Sequence, residues 1–140
     1  MSRKITVTYE GADYSAFAAT VKSTFLGTED HGIFTCSLTC EGSGTGVSVG
    51  NYGLDAWNET AKTRLGAGIG IDLVKEVLHT VGAPSWEALV GKHVLVLTDA
   101  APDGPGLGGR SVGLAHATDE SRVLVLPVWF AAQKAAGRAD

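Results

Sequence analysis

Residues 4–9 (KITVTY) alternate between apolar and polar positions and are rich in β-branched side chains, which predicts a strand. Residues 15–26 (SAFAATVKSTFL) carry enough β-branched and aromatic residues to predict a second. The polar, glycine-bounded stretch 27–32 (GTEDHG) predicts a turn. Residues 33–41 alternate again, and residues 45–52 (TGVSVGNY) follow closely. Connections this short leave no room for helical crossovers, so these strands form an antiparallel meander.

The period then changes. Residues 54–65 (LDAWNETAKTRL) are polar and fit either a short helix or a surface loop. Over residues 68–81, Ile69, Leu73, Val74, Val77, Leu78 and Val81 fall on one helical stripe. Gly82 suits the position just past the helix and Pro84 ends it. Ser85 is placed to cap one short turn over residues 86–90. Residues 93–98 (HVLVLT) are almost continuously apolar, which predicts a strand buried on both faces or central in the sheet. Residues 99–109 (DAAPDGPGLGG) read as a loop, and residues 110–118 and 122–126 as short strands about a turn at Asp119 and Glu120. Pro127 suits the first turn of a C-terminal helix over residues 128–136. The expected class is α+β: an antiparallel β-meander with one central helix, a short helical turn and a C-terminal helix.

Length and composition narrow the picture. The chain has 140 residues, enough for one domain over residues 1–140 with its own core. The formal net charge of −4 argues against general nucleic-acid or membrane-surface binding, which calls for a basic face. No apolar run is long enough to span a membrane, and the N-terminus lacks the apolar stretch of a signal peptide. Cys36 and Cys40 lie four apart in one strand. That places them on one face but roughly 13 Å apart, too far for a disulfide between them. Both are expected to be reduced core thiols. His31, His79, His93 and His116 show no metal-ligand spacing, so no metal or other cofactor is expected.

The 19 glycines cluster in residues 42–53, 66–70 and 104–113. No cluster has the context of a nucleotide loop: residues 66–70 lack GxGxxG spacing and residues 42–46 lack the Lys-Ser/Thr pair. Gly46-Val47-Ser48-Val49-Gly50 matches G-x-S-x-G by letters, but within a strand and not at a strand-to-helix elbow. Glu29, Asp30 and His31 adjoin in a turn, with no third residue to orient the imidazole. Asp30 is expected to accept backbone N–H groups across that turn. With no catalytic constellation in view, a binding role is the stronger expectation.

An anionic ligand carrying a base needs an aromatic face together with guanidinium or helix N-terminal N–H groups. Tyr52 and Trp57 lie shortly before Arg64, which precedes the glycines that open the central helix. Arg110 follows the Pro/Gly loop. A ligand pocket is therefore expected among Tyr52, Trp57, Arg64, the backbone at Gly66 and Gly68, and Arg110, completed by residues of a second protomer.

Residues 24–35 (TFLGTEDHGIFT), residues 50–55 (GNYGLD), and the segment from Gly68 to Lys92 with Ser85-Trp86-Glu87 and Leu89-Val90-Gly91-Lys92 carry a resemblance. The chain resembles a family of small phage-encoded proteins with an LGxEDHGIxT element, a glycine-rich strand leading into GGYxLD, a helix, and WExLxGK before a strand. The resemblance covers about residues 20–130. It is to the family that includes the Thoeris anti-defence protein of the first type. It implies a non-catalytic sponge in the host bacterial cytoplasm that sequesters cyclic ADP-ribose isomers made by bacterial TIR-domain enzymes. It further implies homo-oligomers built from dimers into hexamers, with some members also holding cyclic oligonucleotides. The competing expectations are a phage structural or protein-interaction module with no small-molecule ligand, and a small hydrolase using Asp30 and His31, or Ser48. The continuously apolar strands, with few helices to cover them, independently suggest self-association.

Overall fold

A computed structural model describes residues 5–42, 44–99 and 110–137. Strand β1 (Ile5–Tyr9) turns back through Glu10 and Gly11, both at positive φ, into β2 (Ala12–Thr28). β3 (Phe34–Gly42) and β4 (Thr45–Gly53) complete the expected meander. β7 (His93–Thr98), β8 (Ser111–His116) and β9 (Val123–Val125) extend the sheet in the order β4-β3-β2-β7-β8-β9, every pairing antiparallel. β2 is long enough to take both β1 and β3 on one flank, β1 against its first half and β3 against its second.

β3 shows how pattern becomes packing. Its alternate residues Cys36, Leu38 and Cys40 are buried, and the residues between them are not. Both thiols are free, and burial pushes each up to about 11. They contribute as small apolar groups. The sheet curls until β4 reaches β8, where the Ser111 hydroxyl donates to the Ser48 carbonyl at 2.7 Å. Helix α1 (Gly68–Val81) lies inside the curl, with Leu73, Val77 and Val81 buried against Cys36, Leu38, Val49, Leu114 and Leu124. Its bounds match the periodicity. Gly82 stands at φ 82, and both its N–H and that of Ala83 donate to the Leu78 carbonyl, closing the helix as expected.

The 3₁₀ turn Glu87–Leu89 follows, and the Ser85 hydroxyl accepts the Ala88 N–H at 3.3 Å. Helix α2 (Leu126–Ala135) begins with Pro127 in its first turn and packs Trp129 and Phe130 on the core. The α+β class therefore stands. The expected loop at residues 99–109 lies outside the described residues beyond Asp99.

Two expectations change. Residues 54–65 form neither helix nor loop but a separate hairpin, β5 (Asp55–Asn58) and β6 (Thr63–Gly66). The second faces of β7, β8 and β9 are partly buried within one chain. Leu97, Ala115 and Val125 are buried with Ala16, and Ile5, Val7, Tyr9 and Tyr14 of the β1–β2 hairpin pack on them. Exposed apolar surface lies elsewhere, largely around the β5–β6 hairpin.

Candidate functional site

The hairpin is docked by Leu54 and Asp55. Leu54 N–H donates to the Phe34 carbonyl at 2.7 Å, and the Leu54 carbonyl accepts the Ala67 N–H at 3.3 Å. β3, the hairpin and the start of α1 thus meet at one residue. The Asp55 carboxylate accepts from Arg64 Nε and Nη2, both at 2.8 Å, and from the Phe34 N–H at 3.3 Å. Arg64 Nη2 also donates to the Asp55 carbonyl at 2.9 Å. The two side chains are only 12% and 28% exposed.

Between this hairpin, the start of α1 and the turn after β2 lies an open pocket of about 940 Å³. That is within the range of small-molecule sites. Leu26, Phe34, Leu54, Trp57, Ile71 and Val74 supply its apolar walls. Four of these, Leu26, Phe34, Trp57 and Ile71, are large apolar side chains at least 39% exposed, and Trp57 reaches 53%. Contiguous exposed apolar surface of this kind marks an interaction site more often than scattered residues do. Lys62 and Arg64 add cationic groups, Asp55 an anionic one and His31 an imidazole.

Three of the six expected ligand residues, Trp57, Arg64 and Gly66, line this pocket. Gly68 opens α1 beside it but is not part of its wall. Tyr52 is turned into the core, its ring centroid 4.5 Å from that of Phe130. The cause is a bulge: Leu38 pairs with Val49, yet Cys36 pairs with Tyr52, so β4 holds one extra residue beside Gly50. Gly50 is at φ 111, and a Cβ there would stand 2.8 Å from the Cys36 carbonyl oxygen. The extra residue reverses the alternation and brings Tyr52 inward. Arg110 lies at the mouth of the β7–β8 connection, its N–H on the Asp99 carboxylate at 2.6 Å, outside the pocket wall. Phe34, Leu26, Ile71 and Lys62 fall outside every expected site, and His31, which also lines the pocket, was expected only in the hydrolase alternative. Ile71 offered a signal, since it falls off the buried stripe of α1 and is 65% exposed.

The other chemical candidates also have places. In the turn after β2 the amides are accepted by Glu29, not Asp30: Glu29 Oε1 takes the His31 N–H at 2.6 Å and the Ile33 N–H at 3.3 Å. The physical reason is reach, because the longer side chain bridges back across the turn that Gly32 closes at φ 82. His31 Nδ1 lies 3.5 Å from Glu29 Oε2, with its side chain 84% exposed. Ser48 sits within β4 opposite Thr39, and no strand-to-helix elbow forms there. No helix among the described residues is long and apolar enough to cross a membrane.

The Arg64 guanidinium holds the Asp55 carboxyl below its usual range, assisted by the Phe34 N–H. A depressed folded-state value stabilises the fold above the unfolded value, and the contribution disappears as pH falls through the folded value. Asp55→Asn should therefore be less stable than the wild type at neutral pH. The gap should close as pH falls below about 4, the ordinary aspartate value. Denaturant titrations of both proteins at pH 7 and in acid check this. No protein-family model, curated protein or solved structure matches the chain.

Proposed function

We propose that the protein is a non-catalytic binding protein whose pocket at the β5–β6 hairpin holds a cyclic nucleotide signal of the cyclic ADP-ribose type. The observation that carries this reading is the half-exposed Trp57 indole, set beside Arg64 in a pocket large enough for a small molecule. A base needs a π-face, and stacking on an aromatic side chain contributes about 1–3 kcal/mol per base. Trp57 offers that face. The resemblance to phage sponges in the LGxEDHGIxT and WExLxGK elements supplies the choice of ligand. It also supplies the rest of the reading: action in the cytoplasm of an infected bacterium, and self-association into dimer-based assemblies.

The pairing with Asp55 changes what Arg64 contributes. Its Nε and Nη2 are engaged and its charge is compensated. It serves first to fix the hairpin, and a ligand phosphate has to share it. The ring contact therefore carries more of the binding than the guanidinium. Calorimetric titration with cyclic ADP-ribose isomers tests this reading. The wild type should bind at least one isomer, and Trp57→Ala should weaken that binding by roughly fivefold to a hundredfold. Equal affinity in the two proteins would remove this pocket as the site.

A further inference from the structure

An indole exposed on a hairpin would ordinarily sample several rotamers, yet Trp57 is tethered. Its Nε1–H donates to Glu59 Oε1 at 3.2 Å, and Glu59 Oε2 accepts from Lys62 Nζ at 2.8 Å. The loop that carries this chain of contacts is itself fixed. Asn58 accepts the Lys62 N–H on its carbonyl and the Ala61 N–H on its side chain, both at 2.8 Å. Lys62 stands at φ 56, a left-handed conformation that non-glycine residues seldom adopt. The Lys62 ammonium, and after it the Trp57 N–H, hold the Glu59 carboxyl below the usual carboxylate range. Both Trp57 and Lys62 line the pocket, whereas Glu59 does not.

We infer that Glu59 is a positioning residue that fixes the Trp57 indole as a preformed stacking face for a flat heteroaromatic ring. This deepens the reading above and rests on it: the ring is the base of the bound nucleotide. Fixing the indole before the ligand arrives removes an ordering cost that binding would otherwise meet, equivalent to about twofold to tenfold in affinity. Glu59 and Lys62 have side chains 77% and 73% exposed, so the tether can be cut without disturbing the core.

The test uses the whole protein labelled with ¹⁵N at the indole nitrogens of Trp57, Trp86 and Trp129, with the Trp57 signal assigned by Trp57→Phe. Adenine serves as the ring probe. In the ligand-free protein Glu59→Ala should shift the Trp57 indole resonance, and Glu59→Gln, which keeps an oxygen acceptor, should shift it much less. Adenine should perturb the Trp57 resonance in the wild type. Its affinity should fall about twofold to tenfold in Glu59→Ala and stay near wild type in Glu59→Gln. The inference is overturned if adenine leaves Trp57 untouched in the wild type, or if Glu59→Ala matches the wild type in both resonance and affinity. Adenine bound at Trp57 without affinity for any cyclic ADP-ribose isomer would sustain the platform and sink the nucleotide-signal reading. Tight cyclic ADP-ribose binding that Glu59→Ala leaves unchanged would do the reverse.

Discussion

Gly70→Ala should destabilise the protein by about 2 kcal/mol, although alanine is the better helix former. In an isolated helix the exchange gains about 1 kcal/mol. Here a Cβ at Gly70 would stand 2.2 Å from the Leu54 carbonyl oxygen and 2.8 Å from two further backbone atoms of that residue. None of these is the end of a flexible side chain, so α1 or the hairpin has to shift. Overpacking of this kind costs about 1–3 kcal/mol and occasionally more, and a backbone clash this close belongs at or beyond the upper end. Leu54 joins β3, the hairpin and α1, so the shift also moves the wall of the pocket. Thermal unfolding should show a midpoint lower by roughly 8 °C, on a scale of about 4 °C per kcal/mol for a chain of this size. An unchanged or raised midpoint would mean that the close approach of Gly70 to Leu54 does not occur in solution.

Leu73→Ala should cost more, about 2–5 kcal/mol. Leu73 is 1% exposed on the buried face of α1. A small gap with apolar walls already lies among Leu73, Cys36, Leu38, Val49 and Leu114. Removing three carbon groups enlarges an existing void that the curled sheet cannot close without parting β4 from β8. Denaturant unfolding measures the loss. A change below 1 kcal/mol would place α1 outside the curl of the sheet.

The contrast between what the sequence discloses and what it hides follows from the range of the interactions involved. α1 was legible to the residue, because its stripe, Gly82 and Pro84 are all local signals. β3 and β7 were legible because alternation and continuous apolarity report burial directly. The β5–β6 hairpin was not. Its strands are polar, and they are held by Asp55 reaching Arg64 nine residues on and Phe34 twenty-one residues back. Nothing in a local window announces such a pairing. The packing of the β1–β2 hairpin against Leu97 and Val125 likewise joins residues far apart in the chain, which periodicity does not encode.

The site divides along the same line. Trp57, Arg64 and Gly66 were found because they share one short segment that the fold keeps together. Tyr52 was misplaced by a single bulged residue. Arg110 shares its chemistry with the others, but the topology sends it to a different part of the sheet. Phe34 and Leu26 enter the pocket from strands whose other residues serve the core, so their role appears only once the neighbouring elements are in place.

The central claim is that the pocket beside Trp57 binds a cyclic nucleotide and leaves it unchanged. The most direct measurement incubates the protein with cyclic ADP-ribose isomers, removes free ligand, denatures the complex by heat and identifies what is released by mass spectrometry. Intact cyclic ligand, retained by the wild type and largely lost from Trp57→Ala, is the predicted result. Release of a linear or cleaved product, or retention of no isomer at all by the wild type, would contradict it.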